Sequence, residues 1–169
     1  MLSQNIFLLT GSNLGDRLQN LNTCSALIEA QVGPVSRRSS IYETAPWGKT
    51  DQGNFLNQAL QIESALLPTE LLAACLAIEE KIGRVRYEPW GARTIDLDII
   101  YYDQKSIDSN ELKIPHPRIR ERRFVLVPLS ELAPEFIHPV LKKTNFKLLQ
   151  ECTDSLEVKI FDTTGSRKS

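Results

Sequence analysis

Two aspartates separated by one residue, Asp96 and Asp98, stand in the run Trp90-Gly91-Ala92-Arg93-Thr94-Ile95-Asp96-Leu97-Asp98-Ile99-Ile100. On a strand successive side chains alternate faces, so both carboxylates point one way while Ile95, Leu97 and Ile99 point into a core. Two like charges about 7 Å apart are costly unless a cation lies beside them. Carboxylate oxygens with no Cys or His nearby favour magnesium over zinc. For an isolated Asp-x-Asp, a solvated strand face is the commoner origin.

The neighbouring residues alter that balance. Gly83-Arg84-Val85-Arg86 lies upstream, and Arg93 lies just before the first aspartate. Arginines on one polar loop make a poor structural ion-pair set, because ordering the loop costs entropy and exposed pairs return little. They make a good polyphosphate site, in which a metal bridges phosphate oxygens and arginines close over developing charge.

These side chains must be held by a framework, and the sequence supplies one. Asn5 to Leu9 reads as a short buried strand running into the turn Thr10-Gly11-Ser12-Asn13. A helix follows from Asp16 to Gln31, with Leu14, Leu18, Leu21 and Ile28 on one face and Gly33-Pro34 as its stop. Val35 to Thr44 reads as one edge strand, residues 45–53 as a Gly- and Pro-rich loop, and Phe55 to Glu63 as a third strand with Leu56, Leu60 and Ile62 on one side. The next helix begins at Pro68, buries Leu71, Cys75, Ile78 and Ile82, and ends at Gly83. Ile95 to Tyr102 is the clearest strand. Beyond it come a short strand near Ile107, His116 between Pro115 and Pro117, a further helix, an Ala-Pro-Glu turn at 133–135, and a last strand over 156–161. Strand–helix–strand–strand–helix–strand is the order of a ferredoxin-like α/β sandwich, a mainly antiparallel sheet with flanking helices on one face. A single domain over 1–162 with a disordered tail, 163–169, is expected.

Composition narrows the class of function. The 169 residues are 41% apolar and 24% charged, which suits one globular core, and the net charge of −1 lacks the surplus that non-specific nucleic-acid binding requires. Cys24, Cys75 and Cys152 are odd in number and widely spaced, which points to reduced structural thiols in a reducing cytoplasm. No apolar run reaches the length of a membrane span, and the first residues do not begin a signal peptide.

Taken in order, Gly11-Ser12-Asn13-Leu14, Tyr42-Glu43-Thr44-Ala45-Pro46, Phe55-Leu56-Asn57, Ile78-Glu79, Gly83-Arg84-Val85-Arg86, Arg93-Thr94-Ile95-Asp96-Leu97-Asp98 and Pro115-His116 resemble the 6-hydroxymethyl-7,8-dihydropterin pyrophosphokinase family over nearly the whole chain. The resemblance implies a cytoplasmic ATP-dependent enzyme of folate biosynthesis, moving a pyrophosphoryl group from ATP to the pterin and releasing AMP. It implies two Mg²⁺ ions on Asp96 and Asp98, and phosphate contacts from Arg84, Arg86, Arg93, His116 and Arg122, with Arg84 and Arg93 catalytic. It also implies a pterin pocket of Phe55 and Phe124 as stacking faces, Asn57 on the ring edge, backbone groups of Thr44 and Trp47, and Trp90 as a seal. Glu79 takes a supporting position, and a monomer is expected. Phe55 and Phe124 read equally as core residues, whereas Asn57 in an apolar strand is harder to explain that way. The chain departs from the family in two places: Pro89 replaces a basic residue in a loop one residue shorter, and Phe55 replaces a common tyrosine. The loop 84–94 is expected to close over bound phosphates.

Two other classes compete. A ferredoxin-like RNA-binding module would show paired aromatics within a basic consensus, which is absent. A metal-dependent phosphohydrolase would need a general base beside the aspartates, and no spare His or Glu flanks them. Gly11 to Gly15 lacks the Gly-Lys-Ser/Thr ending of a P-loop and reads as a packed turn. Arg118, Arg120 and Arg123 read as a solvated face, and His138 as structural.

Overall fold

A computed structural model describes residues 2–46, 53–83 and 94–164. Their order is β1 (Ser3–Ser12), α1 (Arg17–Gln31), β2 (Val35–Arg38), β3 (Tyr42–Thr44), β4 (Phe55–Ser64), α2 (Pro68–Ile82), β5 (Asp96–Tyr102), β6 (Ile107–Asp108), β7 (Lys113–Ile114), a 3₁₀ turn (Ile119–Glu121), α3 (Arg123–Leu132), α4 (Asn145–Glu151) and β8 (Val158–Ile160). The main sheet runs β5-β1-β4-β3-β8, with β2 also paired to β4, and β6 and β7 form a separate hairpin. Its pairings are antiparallel throughout. This is the ferredoxin-like arrangement expected from the element order.

Alternation along the central strands divides the core in two. Ile6 and Leu8 of β1, Leu56, Leu60 and Ile62 of β4, and Leu97 and Ile99 of β5 pack against Leu21, Cys24 and Ile28 of α1 and Leu71, Cys75 and Ile78 of α2. Phe7, Leu9, Ala59 and Ile100 face the other way, onto Val125, Leu126 and Leu129 of α3 and Leu148 of α4. The helices therefore cover both faces, not one. The second layer is built from the C-terminal third, where α4 lies in a stretch that carried no helical signal strong enough to read. Residues 163–164 of the expected tail are described, and 165–169 lie outside the described residues.

Local chemistry sets the boundaries. Asp16 Oδ1 accepts the Gln19 amide at 3.0 Å and starts α1. The Glu70 carboxylate accepts the Leu67 amide at 2.8 Å where α2 begins at Pro68, and Gly83 ends α2 with φ +97°, a value glycine adopts without strain. The stretch expected as one strand over 35–44 is two pieces. Arg38 faces Leu60 and Tyr42 faces Asn57, so one extra residue is taken up around Ser39–Ile41. The Glu131 carboxylate of α3 accepts the Ser40 amide at 2.6 Å and the Tyr42 hydroxyl, bracing the break. The outer edge of β3 is covered by β8, so β3 is not an edge strand.

Candidate active site

Helix α3 covers only part of the second sheet face, the part that carries Phe7, Leu9 and Ala59. Gly11, at the far end of β1, pairs with Asp96 of β5 on one side and Asn57 of β4 on the other, and Asn57 pairs in turn with Tyr42 of β3. Directly paired residues share a face. A row thus crosses the sheet from Asp96 to Tyr42, with Asp98 one step further along β5 and Phe55 and Thr44 one step beyond Asn57 and Tyr42. Polar groups gather along this row: Asp96 and Asp98 are half-buried, whereas Ile95, Leu97 and Ile99 are buried, as strand alternation predicts.

β5 is the edge strand, and its outward backbone groups find partners that bring further side chains to the carboxylates. The Leu97 amide, between the two aspartates, donates to Glu79 Oε2 of α2 at 2.9 Å. Glu79 itself is buried. The His116 amide donates to the Ile100 carbonyl at 3.1 Å, which fixes the Pro115–Pro117 segment along the same edge.

Burial pushes the His116 imidazole down to about 4; Arg122 and Arg118 add to the shift, and Asp96 opposes it. Its Nδ1 accepts the Arg118 amide at 3.3 Å, so the neutral ring carries its proton on Nε2. Burial and Arg118 likewise lower Arg122, against the pull of Asp98, Glu121 and Asp96. Asp96, Asp98, His116, Arg118 and Arg122 thus form one electrostatic group. Arg118, expected on a solvated face, is half-buried within it.

A cleft of about 210 Å³ opens beside Asp98, walled by Leu72, Leu97, Ile99 and Leu112 with Glu79 and His116 at its polar side. A larger cavity of about 480 Å³ shares Lys113, His116 and Pro117 but extends to Asp108 and His138, away from Asp98. His138 is structural: its Nδ1 accepts the amides of Val140 and Leu141 at 3.1 and 3.0 Å, and its ring meets Tyr101 edge-on.

At the other end of the row, Asn57 is buried and held from two sides. Its Nδ2 donates to the Thr10 carbonyl at 3.2 Å, and the Thr44 hydroxyl donates to its Oδ1 at 3.4 Å. Phe55 and Phe124 are half-buried, and the Arg122 guanidinium lies 5.7 Å from the Phe124 ring centre. Arg122 therefore links the aromatic end to the carboxylate end. The turn after β1 ties in the strand approaches: Asn13 Nδ2 donates to the Gly53 carbonyl at 3.1 Å, and Asn20 Nδ2 to the Thr94 carbonyl at 3.1 Å.

The structure thus brings together Thr44, Phe55, Asn57, Asp96, Asp98, His116, Arg122 and Phe124. Trp47, Arg84, Arg86, Pro89, Trp90 and Arg93, with residues 84–93 of the loop expected to close, lie outside the described residues. Arg118 was not expected in the site, and Gly11 was expected only as part of a packed turn near the pterin pocket. Gly11 carries a signal in its place at the end of an apolar strand, ahead of a turn.

No group of three or more His, Cys, Asp or Glu side chains that could hold a metal occurs among the described residues. Two half-buried carboxylates suit magnesium all the same, since that ion is commonly held by one or two carboxylates plus substrate phosphates. An RNA-binding sheet needs an open aromatic face, but here Phe7 and Tyr101 are buried beneath α3 and α4.

The fold is of ferredoxin-like architecture, with an acidic edge strand beside basic groups. The chain belongs to the 7,8-dihydro-6-hydroxymethylpterin-pyrophosphokinase family, whose model matches residues 7–134. It is similar to the 2-amino-4-hydroxy-6-hydroxymethyldihydropteridine pyrophosphokinase of Methylorubrum extorquens, 45% identical over 132 residues that cover 78% of this chain and 84% of the relative. The Bacillus subtilis enzyme of the same name is 44% identical over 130 residues, covering 76% and 78%. Among solved structures, wild-type Plasmodium falciparum HPPK-DHPS with pterin and p-hydroxybenzoate superposes with a TM-score of 0.72 at 18% identity, over 88% of this chain and 43% of that one. The likeness shows the fold, and this chain spans less than half the length of that structure. Membership makes the chain a pyrophosphokinase.

Among the described residues no helix is long and apolar enough to cross a membrane.

Proposed function

We propose that the chain transfers the terminal pyrophosphoryl group of ATP to the hydroxymethyl oxygen of 6-hydroxymethyl-7,8-dihydropterin, giving AMP and the pterin diphosphate, a step of folate biosynthesis. The observation that carries this reading is the row across the sheet. It sets the Asp96–Asp98 carboxylate pair and a tethered amide two strands apart on one face, a separation of about 10 Å.

Asp96 and Asp98 are the groups that hold magnesium, as two ions. A magnesium ion held there would supply positive charge that stabilises the negative charge developing on the phosphates during transfer. Arg122, with Arg118 beside it, supplies positive charge to the phosphates. Neutral His116 donates from Nε2 to a phosphate oxygen, since its Nδ1 is already occupied. The apolar cleft beside Asp98 suits the flat base of the nucleotide.

Asn57 reads the pterin edge, Phe55 and Phe124 flank its faces, and backbone groups of Thr44 and Trp47 complete the contacts. The pterin hydroxyl oxygen forms a bond to the β phosphorus as the bond from that phosphorus to the α,β-bridging oxygen breaks; AMP departs with the bridging oxygen, and the hydroxyl proton passes to solvent. The transition state is loose, so positioning and charge stabilisation carry the step more than a strong base does. Arg84 and Arg93, assisted by Arg86, engage the phosphates, and Trp90 closes the site; these roles rest on family resemblance. The reading includes one monomeric, cytoplasmic domain over 1–162.

Incubation with ATP, Mg²⁺ and the hydroxymethyl pterin, followed by nucleotide analysis, tests the reaction. AMP in step with pterin diphosphate supports it; ADP would replace it with an ordinary kinase.

A further inference from the structure

Gly11 stands in the central strand with a neighbour on each side, Asp96 and Asn57. A glycine there weakens the strand and supplies no side chain to the core. Its backbone does not require it, because the left-handed glycines among the described residues are Gly15 and Gly83. The reason is space. A methyl group built on Gly11 would stand 2.6 Å from Asn57 Nδ2 and 3.7 Å from Phe55 Cδ1. The first separation is well inside van der Waals contact.

We propose that Gly11 is a positioning residue for pterin recognition: its missing side chain leaves the space in which the Asn57 amide lies against the central strand. This rests on the assignment of Asn57 to the pterin edge made above. A primary amide has two N–H donors and two carbonyl lone pairs. One donor is taken by the Thr10 carbonyl and one lone pair by the Thr44 hydroxyl. Counting partners among the described residues, one donor and one acceptor remain on the rigid amide plane. That pair matches the adjacent acceptor and donor on the lactam edge of a pterin, and it presents them in one orientation.

Among the three nearest atoms to the added methyl, the closest belongs to a side-chain end, Asn57 Nδ2, and the others to the Phe55 ring and to Asn57 Cγ. Alanine at residue 11 is therefore accommodated by turning the amide away, at the expense of its tether to Thr10. The sheet survives and the recognition edge is lost. Asp96 lies on the opposite side of Gly11, and the clash does not reach it.

Calorimetric titration of the hydroxymethyl pterin, in the presence of Mg²⁺ and a non-hydrolysable ATP analogue, tests the proposal on four proteins: wild type, Gly11→Ala, Asn57→Ala and the double variant. Gly11→Ala is expected to keep its thermal transition and its affinity for the ATP analogue while binding the pterin roughly 10- to 100-fold more weakly. The double variant should bind no more weakly than Asn57→Ala, because both changes remove the same edge. Wild-type pterin affinity in Gly11→Ala, or losses that multiply in the double variant, overturns the proposal. Unchanged pterin affinity in Asn57→Ala strikes at the assignment of Asn57 itself and takes the proposal with it. Should Gly11→Ala fail to fold, Thr44→Val, which removes the other tether at constant shape, must weaken pterin binding without affecting the ATP analogue; an unchanged pterin affinity there is equally decisive against it.

Discussion

The Glu79 carboxylate accepts the amide hydrogen of Leu97 at 2.9 Å, joining α2 to the one residue that separates Asp96 from Asp98. A buried acceptor on a helix thereby sets the position of two carboxylates on an edge strand. Glu79→Ala leaves the Leu97 amide without this partner and is expected to cost about 1–3 kcal/mol of stability. It should also raise the Mg²⁺ concentration needed for half-maximal activity, since the aspartates lose their brace. Glu79→Gln retains a carbonyl oxygen in the same place and should restore most of both. Thermal melts and magnesium titrations of the two variants check this, and equal damage in both would remove the brace from the account.

Asp96 and Asp98 lie outside both core clusters, so replacing either by alanine should leave the fold intact. Metal charge stabilisation is worth several kcal/mol. Turnover is therefore expected to fall at least about a thousandfold at ordinary Mg²⁺. Steady-state kinetics with circular dichroism as a folding control measures it, and near-normal turnover in either variant contradicts the metal assignment.

His116 gives the protein a pH-dependent stability. Its folded value is about 4 against an ordinary 6.5, so between those limits the unfolded chain takes up a proton that the folded one refuses. Stability should fall as pH drops from 6.5 towards 4, by on the order of 3 kcal/mol in all from this group. Burial lowers His138 in the same direction, so His116→Gln should flatten the slope and not abolish it. Melting temperatures of wild type and variant across that window test the sign. A variant curve parallel to that of wild type would rule out His116 as the source.

Arg17 ties three segments together on the side proposed for the pterin. Its Nη1 donates to Glu43 Oε2 at 2.7 Å and to the Asn54 carbonyl at 3.0 Å, and its guanidinium lies 5.7 Å from the Phe161 ring centre. Glu43 and Asn54 directly precede Thr44 and Phe55. Arg17→Ala should cost about 1 kcal/mol of stability and raise the pterin KM roughly 3- to 10-fold with little change for ATP. Lysine keeps the charge but lacks the planar guanidinium that lies over the Phe161 ring, so Arg17→Lys should recover only part. Equal shifts in both KM values would place the effect on global stability.

Much of the site was legible because its elements follow strong local rules. Alternation around Asp96 and Asp98 gave their shared face, and Pro68 and Gly83 marked the ends of α2 in agreement with the structure. Asn57 stood out as an amide in an apolar strand, and its burial and tethers explain why. The break between β2 and β3 was not legible, since it depends on Glu131 some ninety residues away reaching the Ser40 amide. Arg118 was misplaced for a related reason: its burial comes from the folding of the 115–122 segment onto β5, which leaves no periodic trace. The Glu79 contact left a fainter mark. Leu71, Cys75 and Glu79 follow one another at four-residue spacing, so a carboxylate interrupts the buried stripe and must have a partner there.

The place of β1 in the sheet also bears on how the chain is made. Of the strands in the sheet β1 is made first, yet both its partners come much later, β4 ending at Ser64 and β5 at Tyr102. Until the latter emerges, the apolar run Ile6–Leu9 has at most one flank paired, and neither Asp96 nor its row exists. Long-range pairing of this kind forms slowly, because loop closure must precede the contacts that reward it. Helix α1 and the β4–α2 unit can form early, but the row from Asp96 to Tyr42 closes only when β5 docks on the free edge of β1. A nascent chain halted before residue 96 would therefore present that edge to other chains, and co-translational association is the hazard this topology carries.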